Sequence, residues 1–149
     1  MRSGNIKFTV PFVKAKQRPR FGQGRAYTPK ETIHYENEIA EAWKSACLKA
    51  FGTVLTIPKG ASVHVNAMFF RPLPKSRPKR IEEEPDIQKP DIDNLMKLVL
   101  DGLSRAPAWQ DDSQVTWMNA TKGKRYRWTD HEWTYIVVDW EVDEEGEGD

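Results

Sequence analysis

The sequence predicts an α/β domain of the α+β type: a small mixed, largely antiparallel sheet packed with two main helices. Two segments carry helical periodicity, at about 29–50 and 93–105. Four segments, at about 6–13, 61–70, 114–121 and 132–142, read as strands. Their order, β-α-β-α-β-β, allows both a helical crossover and adjacent antiparallel strands. The 149 residues fit one domain with its own core, taken as residues 1–142, followed by an acidic disordered tail at 143–149.

The first strand, Ile6-Lys7-Phe8-Thr9-Val10-Pro11-Phe12-Val13, contains a proline that argues for a sheet edge or a strand end. Residues 14–27 are basic and glycine-containing, as in an ordered loop over a binding surface. Thr28-Pro29-Lys30-Glu31 reads as a helix start with a capping box, followed by Ile39, Trp43, Ala46, Cys47 and Ala50 at helical spacing. Pro58-Lys59-Gly60 is a turn. In the strand after it, Val63, Val65, Ala67 and Phe69 alternate with His64, Asn66 and Met68. Residues 71–90 hold five prolines and mixed charge without periodicity, and are expected to form a mobile loop.

The second helix has an informative wheel. Asp93, Asn94, Lys97, Asp101, Ser104 and Arg105 fall in an arc of about 120°, and apolar residues fill the rest, giving a buried helix with a narrow polar window. Asp111-Asp112 precedes the next strand. Lys122 to Trp128 read as a basic hairpin connection, and Ile136, Val138, Trp140 and Val142 mark the core face of the last strand. Trp43, Trp117, Trp133 and Trp140 are assigned to the core, and the three histidines lack metal-ligand spacing.

Composition excludes several function classes. Mean hydropathy is −0.72, and no apolar run approaches the roughly 20 residues of a membrane span. One cysteine, Cys47, rules out an intramolecular disulfide framework, and with no secretory leader pattern it suits a reducing cytoplasm. Net charge is only +1, but it is segregated. Residues 1–30 carry eight bases and no acid, while 139–149 carry seven acids and no base. The basic arm suits a polyanion.

Asp91 and Asp93 flank Ile92 at the start of the second helix, where backbone N–H groups favour an anion. A further carboxylate comes from the Asp111-Asp112 pair. Such a cluster repels itself unless a cation lies within it. Oxygen donors without histidine or cysteine select hard ions, hence Mg²⁺ with Mn²⁺ as a substitute. Such an ion suits phosphoryl chemistry on nucleic acid, and Lys97, one turn from Asp93, either stabilises transition-state charge or pairs with Asp93. Each part alone has a plainer explanation: Asp-x-Asp as a cap, Asp-Asp as a turn, the basic arm as a solvated face.

Lys89-Pro90-Asp91-Ile92-Asp93-Asn94-Leu95-Met96-Lys97, then Asp101-Gly102-Leu103 and Trp109-Gln110-Asp111-Asp112-Ser113-Gln114-Val115, together resemble the RusA-type Holliday junction resolvases. Arg18-Pro19-Arg20-Phe21 and Tyr27-Thr28-Pro29 are similar to the N-terminal part of that family. The resemblance implies a Mg²⁺-dependent endonuclease acting as a homodimer on four-way DNA junctions. It assigns catalysis and metal binding to Asp91, Asp93 and Asp112, choosing Asp112 over Asp111, and a catalytic role to Lys97. Candidate DNA contacts are Lys14, Lys16, Arg18, Arg20, Arg25, Arg71, Lys75, Arg77, Lys79 and Arg80. The competing readings are a nuclease for flaps or RNA and a junction-binding protein without catalysis.

Overall fold

The computed structural model describes residues 3–142, so the acidic tail expected at 143–149 lies outside the described residues. In chain order the elements are β1 (Ser3–Val10), β2 (Arg20–Gly22), β3 (Arg25–Tyr27), α1 (Lys30–Phe51), β4 (Ser62–Phe70) and β5 (Glu83–Glu84). They continue as α2 (Ile92–Arg105), a 3-10 turn (Asp112–Gln114), β6 (Val115–Lys122), β7 (Arg125–Tyr126) and β8 (Trp133–Glu141). The main sheet runs β1-β8-β4-β6. β8 is antiparallel to both β1 and β4, whereas β4 and β6 are parallel. Parallel neighbours need a crossover, and α2 lies on the path between them. The sheet is therefore mixed and mostly antiparallel, as the sequence predicts.

Alternation along the strands sends Val63, Val65, Ala67 and Phe69 to the same core as Ile136, Val138 and Trp140. From the helices, Ile39, Trp43, Leu95, Leu98, Val99 and Leu103 complete it. The opposite face of the sheet is not covered in this way: Trp117 is half exposed there, beside His64, rather than in the core. Trp133 stacks on Phe70, with ring centroids 4.7 Å apart, and is only partly buried.

The helices approach closely at Gly102, where a Cβ would lie 2.7 Å from Ile39 Cβ. This clearance lets the polar side of α2 meet α1. α1 ends at Gly52, whose left-handed φ of 76° lets its N–H reach Leu48 C=O at 2.9 Å. Its start differs from the expectation. Pro29 caps it without a side-chain bond, so the Thr28–Glu31 capping box does not form. Thr32 Oγ1 instead accepts from the Gln17 N–H at 3.2 Å.

Three connections also depart from the sequence reading. Within residues 14–27, β2 and β3 form a hairpin, with positive φ at Gln23 and Gly24. Residues 71–90 are held, not free. Arg71 clamps Asp86 through two bonds of 2.8 and 2.6 Å, Arg127 donates to Ile81 C=O at 2.7 Å and Pro78 C=O at 2.8 Å, and β5 pairs with β7. Arg127 and β7 come from distant sequence, and an Arg–Asp pair 15 residues apart leaves no periodic trace, so local periodicity carries no sign of these partners. Residues 122–128 do not form a simple hairpin either, because β4 intervenes between β6 and β8.

Candidate active site

α2 bears two adjacent polar rows. Asn94, Asp101 and Arg105 face α1 and residues 14–17. The Lys16 N–H donates to Asn94 C=O at 3.0 Å, and Lys16 Nζ reaches Asp101 at 2.7 Å and Glu36 at 2.8 Å. Glu36, with its side chain 2% exposed, also accepts from Arg105 Nε at 2.9 Å. Burial alone lowers the Lys16 pKa, but bonds and charge from Asp101 and Glu36 outweigh it and hold the ammonium above the ordinary lysine value. Asp101 is thus engaged with Lys16.

The second row runs along the open side of the helix: Asp93, Lys97, Leu100 and Ser104, within about 60° of one another. Asp93 and Lys97 are exposed and enter no ion pair or side-chain hydrogen bond among the described residues. Asp91 stands at the helix cap in extended conformation without capping the helix through its side chain, and it pairs with Lys89 at 3.3 Å. Its carboxylate is therefore not consumed by the helix end, and Asp93 enjoys the favourable field of the first turn.

Asp112 lies at the other end of α2. Its Oδ1 accepts from Ser104 Oγ at 2.6 Å and from Trp109 Nε1 at 2.7 Å. These two donors hold the Asp112 carboxyl below the ordinary carboxylate range, against burial and the charge of Asp111. Asp111 has a different task. Its side chain accepts from Ser113 N–H while Gln114 reaches back to the Asp111 N–H, forming a capping box on the 3-10 turn. Ser104 and Trp109 carry no catalytic signature in the sequence, although their nearness to the Asp pair and the polar window pointed toward them. Glu36 gave no signal at all.

Ser104 lies eleven residues beyond Asp93, or about 16 Å along the helix axis. Asp112, tethered to Ser104, is thus too far from Asp93 to share an ion with it in one chain. Consistently, no group of three or more His, Cys, Asp or Glu side chains among the described residues is arranged to hold a metal. The donor chemistry of Asp91 and Asp93 fits a hard cation, but a single chain does not assemble all three aspartates.

The candidate DNA contacts also divide. Lys16 and Arg71 have their charged heads engaged internally, Arg77 pairs with Glu84 at 3.0 Å, and Lys14 sits over the Tyr35 ring at 5.3 Å. Arg18, Arg20, Arg25, Lys75, Lys79 and Arg80 are exposed without an ion pair among the described residues.

Trp109→Phe tests the Asp112 environment. Losing one donor is expected to move the Asp112 pKa up toward the ordinary value, which a carboxyl-carbon NMR titration reads. An unmoved titration contradicts the role given to the Trp109 donor.

A sequence profile of the family described as "Endodeoxyribonuclease RusA" matches residues 11–137. Proteins called "Crossover junction endodeoxyribonuclease RusA" from Escherichia coli strains K12 and UTI89 are 28% identical to this chain over 127 residues, covering 81% of it and 89% of their own length.

Proposed function

The chain belongs to the RusA family of endodeoxyribonucleases and is a junction-resolving nuclease, and we propose that it cuts four-way DNA by paired, symmetric nicks as a Mg²⁺-dependent homodimer. The observation that carries the site assignment is the open row on α2, with Asp91 and Asp93 at one end and the Ser104–Asp112 pair at the other. Mg²⁺, with Mn²⁺ substituting, suits an all-carboxylate donor set. When bound, such an ion supplies Lewis acidity and a more acidic water.

The remaining roles belong to the chain. Asp91 and Asp93 provide negative oxygen donors beside the helix start. Lys97, one turn along the same row, offers its ammonium to a phosphate that gains charge as it is attacked. Ser104 and Trp109 fix one oxygen of Asp112 and keep it ionised, leaving the other oxygen available. Arg18, Arg20, Arg25, Lys75, Lys79 and Arg80, with Lys14 and Arg77, contact backbone phosphates, so affinity falls steeply with salt. Hydrolysis leaves 5′-phosphate and 3′-hydroxyl ends.

A second copy reconciles the two ends of α2. If Asp93 of one protomer meets Asp112 of its partner, two-fold symmetry generates the reciprocal pair. The two α2 helices then lie antiparallel, with the axis passing near Lys97 and Leu100. The separation of about 16 Å between Asp93 and Ser104 supports this arrangement over a site within one chain.

Differently tagged Asp93→Asn and Asp112→Asn chains, co-expressed and isolated as the doubly tagged dimer, test it. One site of that dimer has both aspartates and the other has neither. Nicking at about half the wild-type rate per dimer is expected, yielding nicked rather than resolved junctions. A heterodimer as inactive as either parent, or no isolable dimer, contradicts sharing between protomers.

A further inference from the structure

Phe21 is 84% exposed, an unusual state for a phenylalanine, and its setting is specific. It sits on the β2–β3 hairpin, paired with the small Ala26, and Gln23 and Gly24 form a two-residue turn with φ of 53° and 78°. Positive φ at both central residues is the turn that matches strand twist, so the segment is a regular hairpin that presents Phe21 on one face. Arg20 and Arg25 project from the opposite face of the same ribbon, and Arg18 precedes it; all three are exposed and without ion pairs among the described residues. The base of this segment is fastened to the reaction centre, since the Lys16 N–H bonds the Asn94 carbonyl beside Asp93.

We propose that Phe21 is a wedge that stacks into DNA at the branch point, a few base pairs from the phosphate cut beside Asp93. This rests on the nuclease reading above. A ribbon with an apolar ring on one face and cations on the other matches a surface that is apolar inside and anionic outside, which describes stacked bases sheathed in phosphates. The five residues from Lys16 to Phe21 span at most about 17 Å, which corresponds to about five base-pair steps of duplex. Base pairs at a branch point lack continuous stacking on one side, so inserting a ring there costs less than in uninterrupted duplex. The wedge therefore contributes selectivity for junctions, while the arginines contribute affinity for any DNA.

The test uses full-length protein in EDTA with four-way junctions carrying 2-aminopurine beside the branch point, and matched duplexes. Wild-type binding is expected to raise 2-aminopurine fluorescence. Phe21→Ala is expected to bind duplex as before, to leave junction fluorescence at the unbound level, and to lose about tenfold or more of the junction-over-duplex preference. Phe21→Trp restores both. A Phe21→Ala protein that keeps the fluorescence rise and the preference overturns the wedge, as does wild-type protein that cuts junctions in Mg²⁺ without unstacking them. Wild-type protein that neither prefers nor cuts junctions overturns the nuclease reading, and the wedge with it.

Discussion

Asp112→Asn is expected to reduce junction cleavage by about a thousandfold or more in single-turnover assays while junction binding is retained or slightly strengthened. The exchange preserves size but replaces a carboxylate oxygen donor with a neutral amide. It removes the charge that Ser104 and Trp109 are placed to stabilise. Asp93→Asn and Asp91→Asn are expected to behave alike, because each removes a negative oxygen donor at the start of α2. Removing one carboxylate also reduces repulsion of the DNA backbone, so binding is expected to be spared. Single-turnover conditions separate the chemical step from product release. Cleavage unchanged in Asp112→Asn and Asp91→Asn removes both residues from the site.

The second large effect concerns stability. Asp86, with its side chain 2% exposed, is held by Arg71 and lies 3.7 Å from Lys122 and 4.0 Å from Arg125. Burial raises its pKa, but the Arg71 bonds and the charges of Arg71, Lys122 and Arg125 together hold it below the ordinary value. Asp86→Asn leaves three largely buried cations without their counter-charge. A loss of about 3–5 kcal/mol is expected, or a fall in Tm of roughly 6–20 °C. The sign of the pH dependence follows from the depressed pKa. The stabilisation from Asp86 is complete above the ordinary aspartate range and is lost as pH falls through the folded-state value. Wild-type and Asp86→Asn melting curves should therefore converge in acid, and a constant difference down to pH 2 contradicts the role given to the charge.

What the sequence disclosed was mostly local. The wheel of α2 gave its buried face and its polar window, because 3.6-residue periodicity is set within one element. The alternation in β4 and β8 gave the core face of the sheet for the same reason. The hairpin at Arg20–Tyr27 was missed although Gly22-Gln23-Gly24 carries turn chemistry, since its strands are only three residues each. The order in residues 71–90 is not readable locally, because besides the Arg71–Asp86 pair its clamps come from Arg125 and Arg127, 53 and 46 residues from the carbonyls they hold. Lys16 read as a DNA contact because nothing local foretells its pairing with Glu36 and Asp101, 20 and 85 residues distant.

The separation of Asp93 from Asp112 is a different case. Helical rise alone puts the residues after Arg105 far from the helix start. The family pattern grouped three aspartates as one set, and that grouping does not say whether one chain supplies them all. The spacing along α2 is what motivates the proposed second protomer, and the hydrogen bonds to Asp112 give Ser104 and Trp109 a task that their residue types did not announce.

Incubation of the wild-type protein with a labelled four-way junction, a flap and a linear duplex, each in Mg²⁺, Mn²⁺ or EDTA, tests the account most directly. It predicts paired symmetric cuts in the junction with either metal, none in EDTA, and little cutting of flap or duplex, with products that ligase seals. Equal cutting of all three substrates, or junction cutting that persists in EDTA, contradicts it.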